Sequence, residues 1–397
     1  MTANPLTAPP PLEPEPGWNQ SLGTGAPGIA LLHMEKARSG AAPWECAHKW
    51  VTAMTRGPVT AHPNTAGLYR GVPAVTFALH ASGHDGYTAS LNTLDRHITT
   101  LTRHRLSRAH ERINRAELPV AREYDLISGL TGIGAGLLCR HGHCELLEQV
   151  LAYLVRLTEP IRHDGNLLPG WWCRTGPRGQ PAPHRPGGHG NLGLAHGITG
   201  PLALLATAMR RGITVTGHVE AIERVTTWLD TWRCGTGAGV WWPGIISRTE
   251  QHTGTIRQPG PQRPSWCYGT PGLARAQQLA ALALADTRRQ RDAEDAIAGC
   301  VRDEAQLALL RDSSVCHGWA GLVHVVRRAA ADAIEDSGLT QALPSLDARL
   351  RDHLHQHGPP TNPGLLEGHA GTQLVQLAQT TNTASVTRWD ACLLLEG

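Results

Sequence analysis

Two cysteines and a histidine have side chains that can bind a metal, and the two cysteines occupy equivalent positions in a repeat. Cys267 and Cys316 each lie two residues before a glycine that opens an apolar run, and His317 follows Cys316 directly. Two sulfurs and an imidazole favour zinc over magnesium or calcium, and three protein ligands leave a fourth position for a substrate. The alternative is that both cysteines are small buried residues and that His317 is a hydrogen-bond donor at a helix end.

The repeat is a polar residue and Gly-x-x-Gly leading into an apolar run. It occurs seven times, and Ala74 replaces the second glycine in one copy. The first glycines are Gly25, Gly71, Gly129, Gly197, Gly269, Gly318 and Gly368. A spacing such as the 49 residues from Gly269 to Gly318 suits two helices and their turns. The glycines let the chain turn tightly and let helices approach closely.

This repeat predicts the fold. One helical hairpin cannot bury its apolar face alone, so neighbouring hairpins must stack. Seven hairpins can curl until the last meets the first. We therefore predict an all-α protein, an α/α toroid with seven inner and seven outer helices. An open superhelical solenoid is the alternative.

Two insertions explain the longest spacings. They cover about residues 164–190 and 234–265, and both are rich in glycine and proline. We expect ordered loops at the end of the ring that carries the site. Each insertion has a tryptophan pair, Trp171–Trp172 and Trp241–Trp242. We interpret both pairs as loop packing rather than as peptide contacts.

Equivalent positions of a closed ring lie at one height and can face one cavity. The residues directly before the first glycines can all form hydrogen bonds: Thr24, Arg70, Ser128, His196, Tyr268, His317 and Glu367. The two cysteines share the preceding position in adjacent repeats. Ring curvature is therefore expected to bring Cys267, Cys316 and His317 together at this end.

Composition narrows the classes of function. The chain has 397 residues, of which 41% are hydrophobic, enough for a sizeable core. A net charge of +3 without a dense basic stripe argues against a nucleic-acid partner. No apolar run is long enough for a transmembrane helix. Nine cysteines without an export signal indicate reduced thiols and a cytoplasmic protein. We divide the chain into a proline-rich arm, residues 1–20, expected to be disordered, and one domain, residues 21–397.

A second cluster of possible ligands competes with the first. The segment Cys139-Arg-His-Gly-His-Cys144 packs two cysteines and two histidines into six residues. Its spacing is cramped for four ligands of one ion. It also follows the apolar run that begins near Leu130, which places it at the far end of a helix. We therefore favour the Cys267 cluster.

Four blocks of the chain resemble one known family. They are YDLISGLTGIGAGLL at 124–138, GLAHGITGPLALL at 193–205, RPSWCYGTPG at 263–272 and CHGWAGL at 316–322. In this order they are similar to the LanC lanthipeptide cyclases, in the stand-alone form. The glycine repeat extends the likeness from about Gly25 to Gln379.

The resemblance implies a single α/α toroid with one zinc ion, held by Cys267, Cys316 and His317. His196 looks like the active-site histidine of the family. Asp125, Arg263 and Tyr268 look like its other polar catalytic residues. Each also has a structural interpretation: Asp125 as a helix cap, Arg263 as an ion-pair partner and Tyr268 as a packing residue.

The implied reaction adds a cysteine thiol of a dehydrated precursor peptide to dehydroalanine or dehydrobutyrine, which closes a thioether ring. Zinc favours the thiolate of the substrate. Either His196 or Arg263 would handle the proton of the enolate. A lanthipeptide dehydratase and a transporter are the expected partners, with membrane association through that complex. The alternatives are a LanC-like enzyme that adds glutathione to dehydrated residues, and a non-catalytic toroidal scaffold.

Overall fold

A computed structural model describes residues 6–176, 180, 185–381 and 385–396. Its longer helices form two concentric layers. The inner helices are α1 (Ala26–Arg38), α3 (Val72–Ser82), α6 (Leu130–His141), α8 (Thr199–Arg210), α11 (Thr270–Leu284), α14 (Trp319–Ala331) and α16 (His369–Thr381). The outer helices are α2 (Trp44–Met54), α4 (Thr88–Asn114), α7 (Glu145–Leu157), α9 (His218–Thr231), α12 (Thr287–Cys300) and α15 (Leu339–His357). The short helices are α5 (Ala121–Tyr124), α10 (Arg248–Thr253) and α13 (Glu304–Leu307).

The repeat blocks explain where the inner helices begin. The first glycine is the N-cap residue of α1, α3, α6, α11 and α14. Pro27, Pro73 and Pro271 follow in the first turn, where a missing backbone N–H costs nothing. Within the described ranges, no helix has both the length and the apolar character needed to cross a membrane.

Backbone hydrogen bonds between described residues join the loops before the inner helices at six of the seven junctions of the ring. At the junction between the loops before α3 and α6, Arg105 instead donates to Ala66 O and Ser128 O. Each of the six backbone bonds runs from one repeat to a neighbouring repeat, and the last repeat bonds to the first. The bonds are Leu22 N to Tyr69 O (3.0 Å), Leu126 N to Ala195 O (3.2 Å), Leu194 N to Cys267 O (3.0 Å), Cys267 N to Cys316 O (3.2 Å), Cys316 N to Leu366 O (2.7 Å) and Leu366 N to Gly23 O (2.9 Å). The chain therefore closes, which confirms the predicted α/α toroid over an open solenoid.

The second glycine of a block gives the loop room to turn back on its helix. A Cβ atom on Gly321 would lie 2.0 Å from the carbonyl oxygen of Val315, and one on Gly272 would lie 2.1 Å from that of Trp266. Those carbonyls belong to the residues directly before Cys316 and Cys267. The glycines thus allow each cysteine loop to lie close against its own helix.

The two insertions pair with each other at one end of the ring. Strand β3 (His189–Asn191) of the first insertion pairs antiparallel with β4 (Ile245–Ser247) of the second. A hairpin of β1 (Ile161–His163) and β2 (Asn166–Leu168) precedes them. Trp171, Trp172 and Trp242 are buried, and Trp242 Nε1 donates to Leu229 O. These three tryptophans pack the loops, as expected; residues 177–179 and 181–184 lie outside the described residues.

The carboxyl-terminal segment differs from the prediction. We expected seven outer helices, but six lie in the described ranges, and the segment after α16 enters the middle of the ring. There a 3₁₀-helix, Trp389–Leu393, is fully buried. Tyr69 donates to Cys392 O (2.9 Å) and Trp266 Nε1 to Leu393 O (3.0 Å). The consecutive apolar residues 391–395 suit complete burial, whereas an outer helix needs one polar face.

Contacts at the amino-terminal end cross the predicted domain boundary at residue 20. Trp18 is buried and its ring lies 6.3 Å from that of Trp50. His33 Nε2 lies 2.9 Å from Leu6 O, and Leu6 is buried as well. Residues 1–5 of the predicted arm lie outside the described residues. The division into an arm and one domain stays a prediction.

We expect Gly321→Ala to lower the free energy of unfolding by about 1–3 kcal/mol, because the added methyl group overlaps a backbone carbonyl. The matched control is Gly136→Ala within α6, where a Cβ would meet only Leu68 Cδ1 at 3.6 Å. Alanine there should be neutral or stabilise the helix by up to about 1 kcal/mol. Urea unfolding followed by circular dichroism measures both. Equal effects of the two substitutions would contradict the role given to Gly321.

Candidate metal centre and the polar residues beside it

The loops before α11 and α14 bring Cys267, Cys316 and His317 together. The bond from Cys267 N to Cys316 O sets the two cysteines side by side. One ligand atom from each of the three residues lies within 4.8 Å of the other two. Among the described residues this is the only group of three or more potential ligands at such distances. The structure therefore brings together the three residues that the repeat register predicted.

The donor set fits a thiophilic divalent cation. Ligands in a tetrahedron with bonds of about 2.0–2.3 Å are roughly 3.3–3.8 Å apart, so the observed spacing needs only a small contraction. Cys267 is buried, while Cys316 and His317 are partly exposed. A fourth ligand could thus approach from the exposed side.

The pKa values of the two thiols shift in opposite directions. The pKa of Cys267 is held well below its ordinary value, first by the hydrogen bond with Cys316 and then by His317. The pKa of Cys316 is raised, because the Cys267 thiolate lies beside it and burial penalises a second charge. The pair thus loses its first proton readily and its second with difficulty. A bound cation would remove that difficulty.

The carboxylate of Asp312 lies close to the imidazole of His317. His317 Nε2 is 3.4 Å from Asp312 Oδ2, and Asp312 Oδ1 accepts a hydrogen bond from Ser314 N (2.8 Å). His317 also contacts Cys267, and this contact raises the pKa of His317 more than Asp312 does. A carboxylate close to one ring nitrogen can fix the tautomer and the orientation of an imidazole that binds a metal through the other nitrogen. Asp312 is thus placed to position His317.

His196 and Asp125 form a second polar pair. His196 Nδ1 lies 2.7 Å from Asp125 Oδ2, and the Asp125 side chain is fully buried. The other oxygen of Asp125 accepts hydrogen bonds from Ser128 N (2.7 Å) and Gly129 N (2.9 Å) at the start of α6. The carboxylate therefore holds the proton of His196 on Nδ1 and leaves Nε2 free. Since 25% of the His196 side chain is exposed, Nε2 can reach a substrate.

Tyr268 is held as a neutral phenol. Asn191 Nδ2 donates to the Tyr268 hydroxyl (2.8 Å), and Asn191 Oδ1 accepts from Gly193 N. Burial raises the pKa of Tyr268 to about 12. The hydroxyl proton is consequently retained at neutral pH and can be donated to a substrate oxygen.

Arg263 is an exposed cation beside the thiols. Its charge acts on both Cys316 and His317. No hydrogen bond or ion pair joins its guanidinium to another of the described residues. The predicted alternative, an ion-pair role, therefore has no partner in that part of the chain, and the guanidinium is available to a substrate.

Comparison with known proteins supports the likeness seen in the sequence. The family described as lanthionine synthetase C-like protein matches residues 16–394. The chain belongs to this family. Nisin biosynthesis protein NisC of Lactococcus lactis subsp. lactis is 23% identical over 386 residues, covering 94% of this chain and 88% of NisC. A solved structure of nisin cyclase has a TM-score of 0.80 at 22% identity, covering 96% of this chain and 93% of that one. The resemblance inferred from the four blocks is confirmed.

The sequence of this LanC-like chain did not reveal every residue at the site. Asp312, Asn191 and Ser265 all lie outside the repeated glycine blocks. Ser265 Oγ is 3.8 Å from Cys267 Sγ and donates to Tyr268 O. An Asp two residues before a Ser is a common turn signal, and it was the one available hint for Asp312. The roles of the seven residues named from the sequence stay predictions.

The competing Cys139–Cys144 segment has other partners in this LanC-like chain. It lies at the end of α6, whereas Asp125 and Gly129 lie at its start. His143 Nε2 is 2.6 Å from Glu148 Oε1, and burial raises the pKa of Cys139 to about 11. The segment forms no metal-binding group within the described residues.

We expect Asp312→Asn to weaken metal binding about 10-fold or more, because the amide lacks the charge that orients His317. The substitution keeps an oxygen that can accept from Ser314 N. Titration with Co²⁺, followed by its thiolate absorption band, measures the affinity. Asp352→Asn, at an exposed position of α15, is the control and should bind like the unchanged protein. Equal affinity in both variants would rule out a positioning role for Asp312.

Proposed function

We propose that this protein is a zinc-dependent lanthipeptide cyclase. It would add cysteine thiols of a dehydrated peptide to dehydroalanine or dehydrobutyrine and so form lanthionine and methyllanthionine rings. The observation that carries the proposal is the Cys267–Cys316–His317 cluster at the same end of the ring as the Asp125–His196 pair. Membership in the lanthionine synthetase C-like family and the likeness to nisin cyclase support it.

The metal site would prepare the nucleophile. Zinc bound by Cys267, Cys316 and His317 would supply a Lewis acid that favours the thiolate of a substrate cysteine. The buried Cys267 and the loop bond from Cys267 N to Cys316 O keep these ligands in place before substrate arrives. Preorganised ligands need no rearrangement during the reaction.

The polar residues would handle the charge that addition creates. The substrate thiol loses its proton, its sulfur forms a bond to the β-carbon of the dehydro residue, and the carbon–carbon π bond breaks, so that the π electron pair moves to the adjacent carbonyl as an enolate. Arg263 and the neutral hydroxyl of Tyr268 would stabilise that oxygen. Protonated His196, held by Asp125 at Nδ1, would then deliver a proton from Nε2 to the α-carbon. No group leaves, so the reaction is balanced.

The substrate would be a precursor peptide already dehydrated by another enzyme, because addition of a thiol requires the dehydro residue to be present beforehand. A lanthipeptide dehydratase is therefore the expected partner. A transporter is a further candidate. Transfer of the peptide between these proteins would explain an open site at one end of the ring.

Cys316→Ala should lose zinc and ring closure together, since one sulfur and one histidine bind zinc weakly. Zinc content is measured by mass spectrometry of the metal, and ring closure by loss of free thiols in a dehydrated peptide. Cys144→Ala removes a thiol from the competing segment and should keep both properties. Zinc and ring closure retained in Cys316→Ala would refute the ligand assignment.

His196→Ala should keep zinc and lower the rate of ring closure about 10²–10⁴-fold, the usual contribution of a general acid. His97→Ala, at an exposed position of α4, is the control and should be fully active. The same assay with added glutathione separates the two enzyme hypotheses. Glutathione adducts without ring closure in the unchanged protein would favour the glutathione-adding alternative.

A further inference from the structure

A cavity of about 330 Å³ lies on the outer side of the ring, between α4, the loop at residues 63–64 and α5. Cavities of about 300–1,000 Å³ are typical of sites for small groups. Its charged lining includes Arg105, Arg108, Arg122 and Glu123, with His104 at the edge. The cavity lining therefore has three positively charged side chains and one negatively charged side chain, not counting His104.

The one carboxylate of the lining is already neutralised. Glu123 Oε1 lies 2.7 Å from Arg112 Nη2, which lies outside the cavity lining, and accepts a hydrogen bond from the Tyr153 hydroxyl (2.8 Å). Glu123 thus has a cation of its own. Of the three arginines of the cavity, Arg108 and Arg122 have no ion-pair partner among the described residues, while the charge of Asp125 acts on Arg105.

The three arginines of the cavity have N–H groups that form no hydrogen bond with another described residue. Arg105 donates to three backbone carbonyls, of Pro63 (2.7 Å), Ser128 (2.5 Å) and Ala66 (2.7 Å), so two of its five N–H groups are unused. Burial lowers the pKa of Arg105 to about 10, which still leaves it charged at neutral pH. Arg122 has one hydrogen bond, to Asn64 O, and Arg108 has none to another described residue.

The cavity is connected to the site through Ser128. Ser128 O accepts from Arg105, and Ser128 N donates to Asp125, the partner of His196. Gly129 N, which shares a peptide group with Ser128 O, also donates to Asp125, so the cavity and the polar pair contact the two sides of that peptide group. Val120, which also lines the cavity, is 38% exposed and offers an apolar contact beside the charges.

We infer that this cavity binds an acidic side chain, aspartate or glutamate, of the peptide substrate while another part of that peptide lies at the metal centre. The inference rests on the proposed function for the identity of the peptide. Paired arginines suit a carboxylate because their planar guanidinium groups donate two parallel hydrogen bonds. The apolar Val120 suits the methylene groups of the same side chain.

Two synthetic peptides of equal length test the inference. Both carry a fluorescent label, one cysteine and one serine in place of dehydroalanine, so that neither can react. One has three glutamates towards its amino end, and the other has three glutamines. Fluorescence anisotropy gives the dissociation constant of each. We expect the glutamate peptide to bind about 10-fold more tightly at low salt, with the preference reduced by added salt.

The variant Arg108→Gln with Arg122→Gln should lose this preference. Arg105 is left intact because its three backbone contacts support the loop around Ser128. The control is Arg103→Gln, which removes one charge from an exposed position of α4 outside the cavity and should keep the preference. No preference in the unchanged protein, or a preference kept by the double variant, would overturn the inference. Binding to anionic lipid vesicles that depends on Arg108 and Arg122, without a peptide preference, would also overturn it.

The outcome for the cavity is separate from that for the proposed function. Dehydroalanine forms of both peptides test ring closure in the same samples. A glutamate preference without ring closure would reject the cyclase and keep the anion site. Ring closure without a glutamate preference would support the cyclase and reject the anion site.

Discussion

Backbone hydrogen bonds between neighbouring repeats set the distances on which the site depends. Among the described residues, six of the seven loops before the inner helices bond to the next loop, and the bond between Leu366 N and Gly23 O closes the circle. Because these loops are locked edge to edge, residues 49 positions apart in sequence become direct neighbours. The bond from Cys267 N to Cys316 O is one member of this ring, and it explains why two distant sulfurs can serve one cation. The second glycines are required for the same reason, since a side chain there would push the loop away from its helix.

Residues inside the repeat could be predicted from its register, whereas residues outside it were either named through the family resemblance, as Asp125 and Arg263 were, or missed. The register of the glycine blocks gave the toroid, the shared position of the two cysteines and the place of His196 at the same end. Asp312 and Asn191 follow no period: Asp312 lies in the loop between α13 and α14, and Asn191 lies in β3 of the first insertion. The carboxyl-terminal segment was predicted wrongly for a related reason. A count of repeats predicts helices in pairs, whereas the consecutive apolar residues 391–395 are better satisfied by burial in the bore of the ring.

The Asp125–His196 pair and the Cys267–Cys316 pair differ in how far the protein itself compensates their negative charge. Asp125 is a buried carboxylate, yet two backbone N–H groups and the His196 imidazole satisfy both of its oxygens. In the Cys267–Cys316 pair, hydrogen bonds favour the thiolate of Cys267, but that thiolate resists ionisation of Cys316. A buried charge that lacks compensation is costly. The sulfur pair is thus the part of the site whose chemistry calls for an external cation, whereas the Asp125–His196 pair is complete without one.

The filled bore limits how a peptide can use the site. Trp389, Cys392 and Leu393 occupy the middle of the ring, and their backbone contacts with Tyr69 and Trp266 lie directly below the metal loops. Under the proposed function, a peptide would therefore enter and leave from the loop end. Several rings closed in one flexible chain require each product segment to move away while the peptide stays nearby. Weak contacts between the peptide and the protein surface away from the metal would allow this movement better than tight binding at the metal. Such contacts act as a tether, which raises the local concentration of the next cysteine without trapping the finished ring.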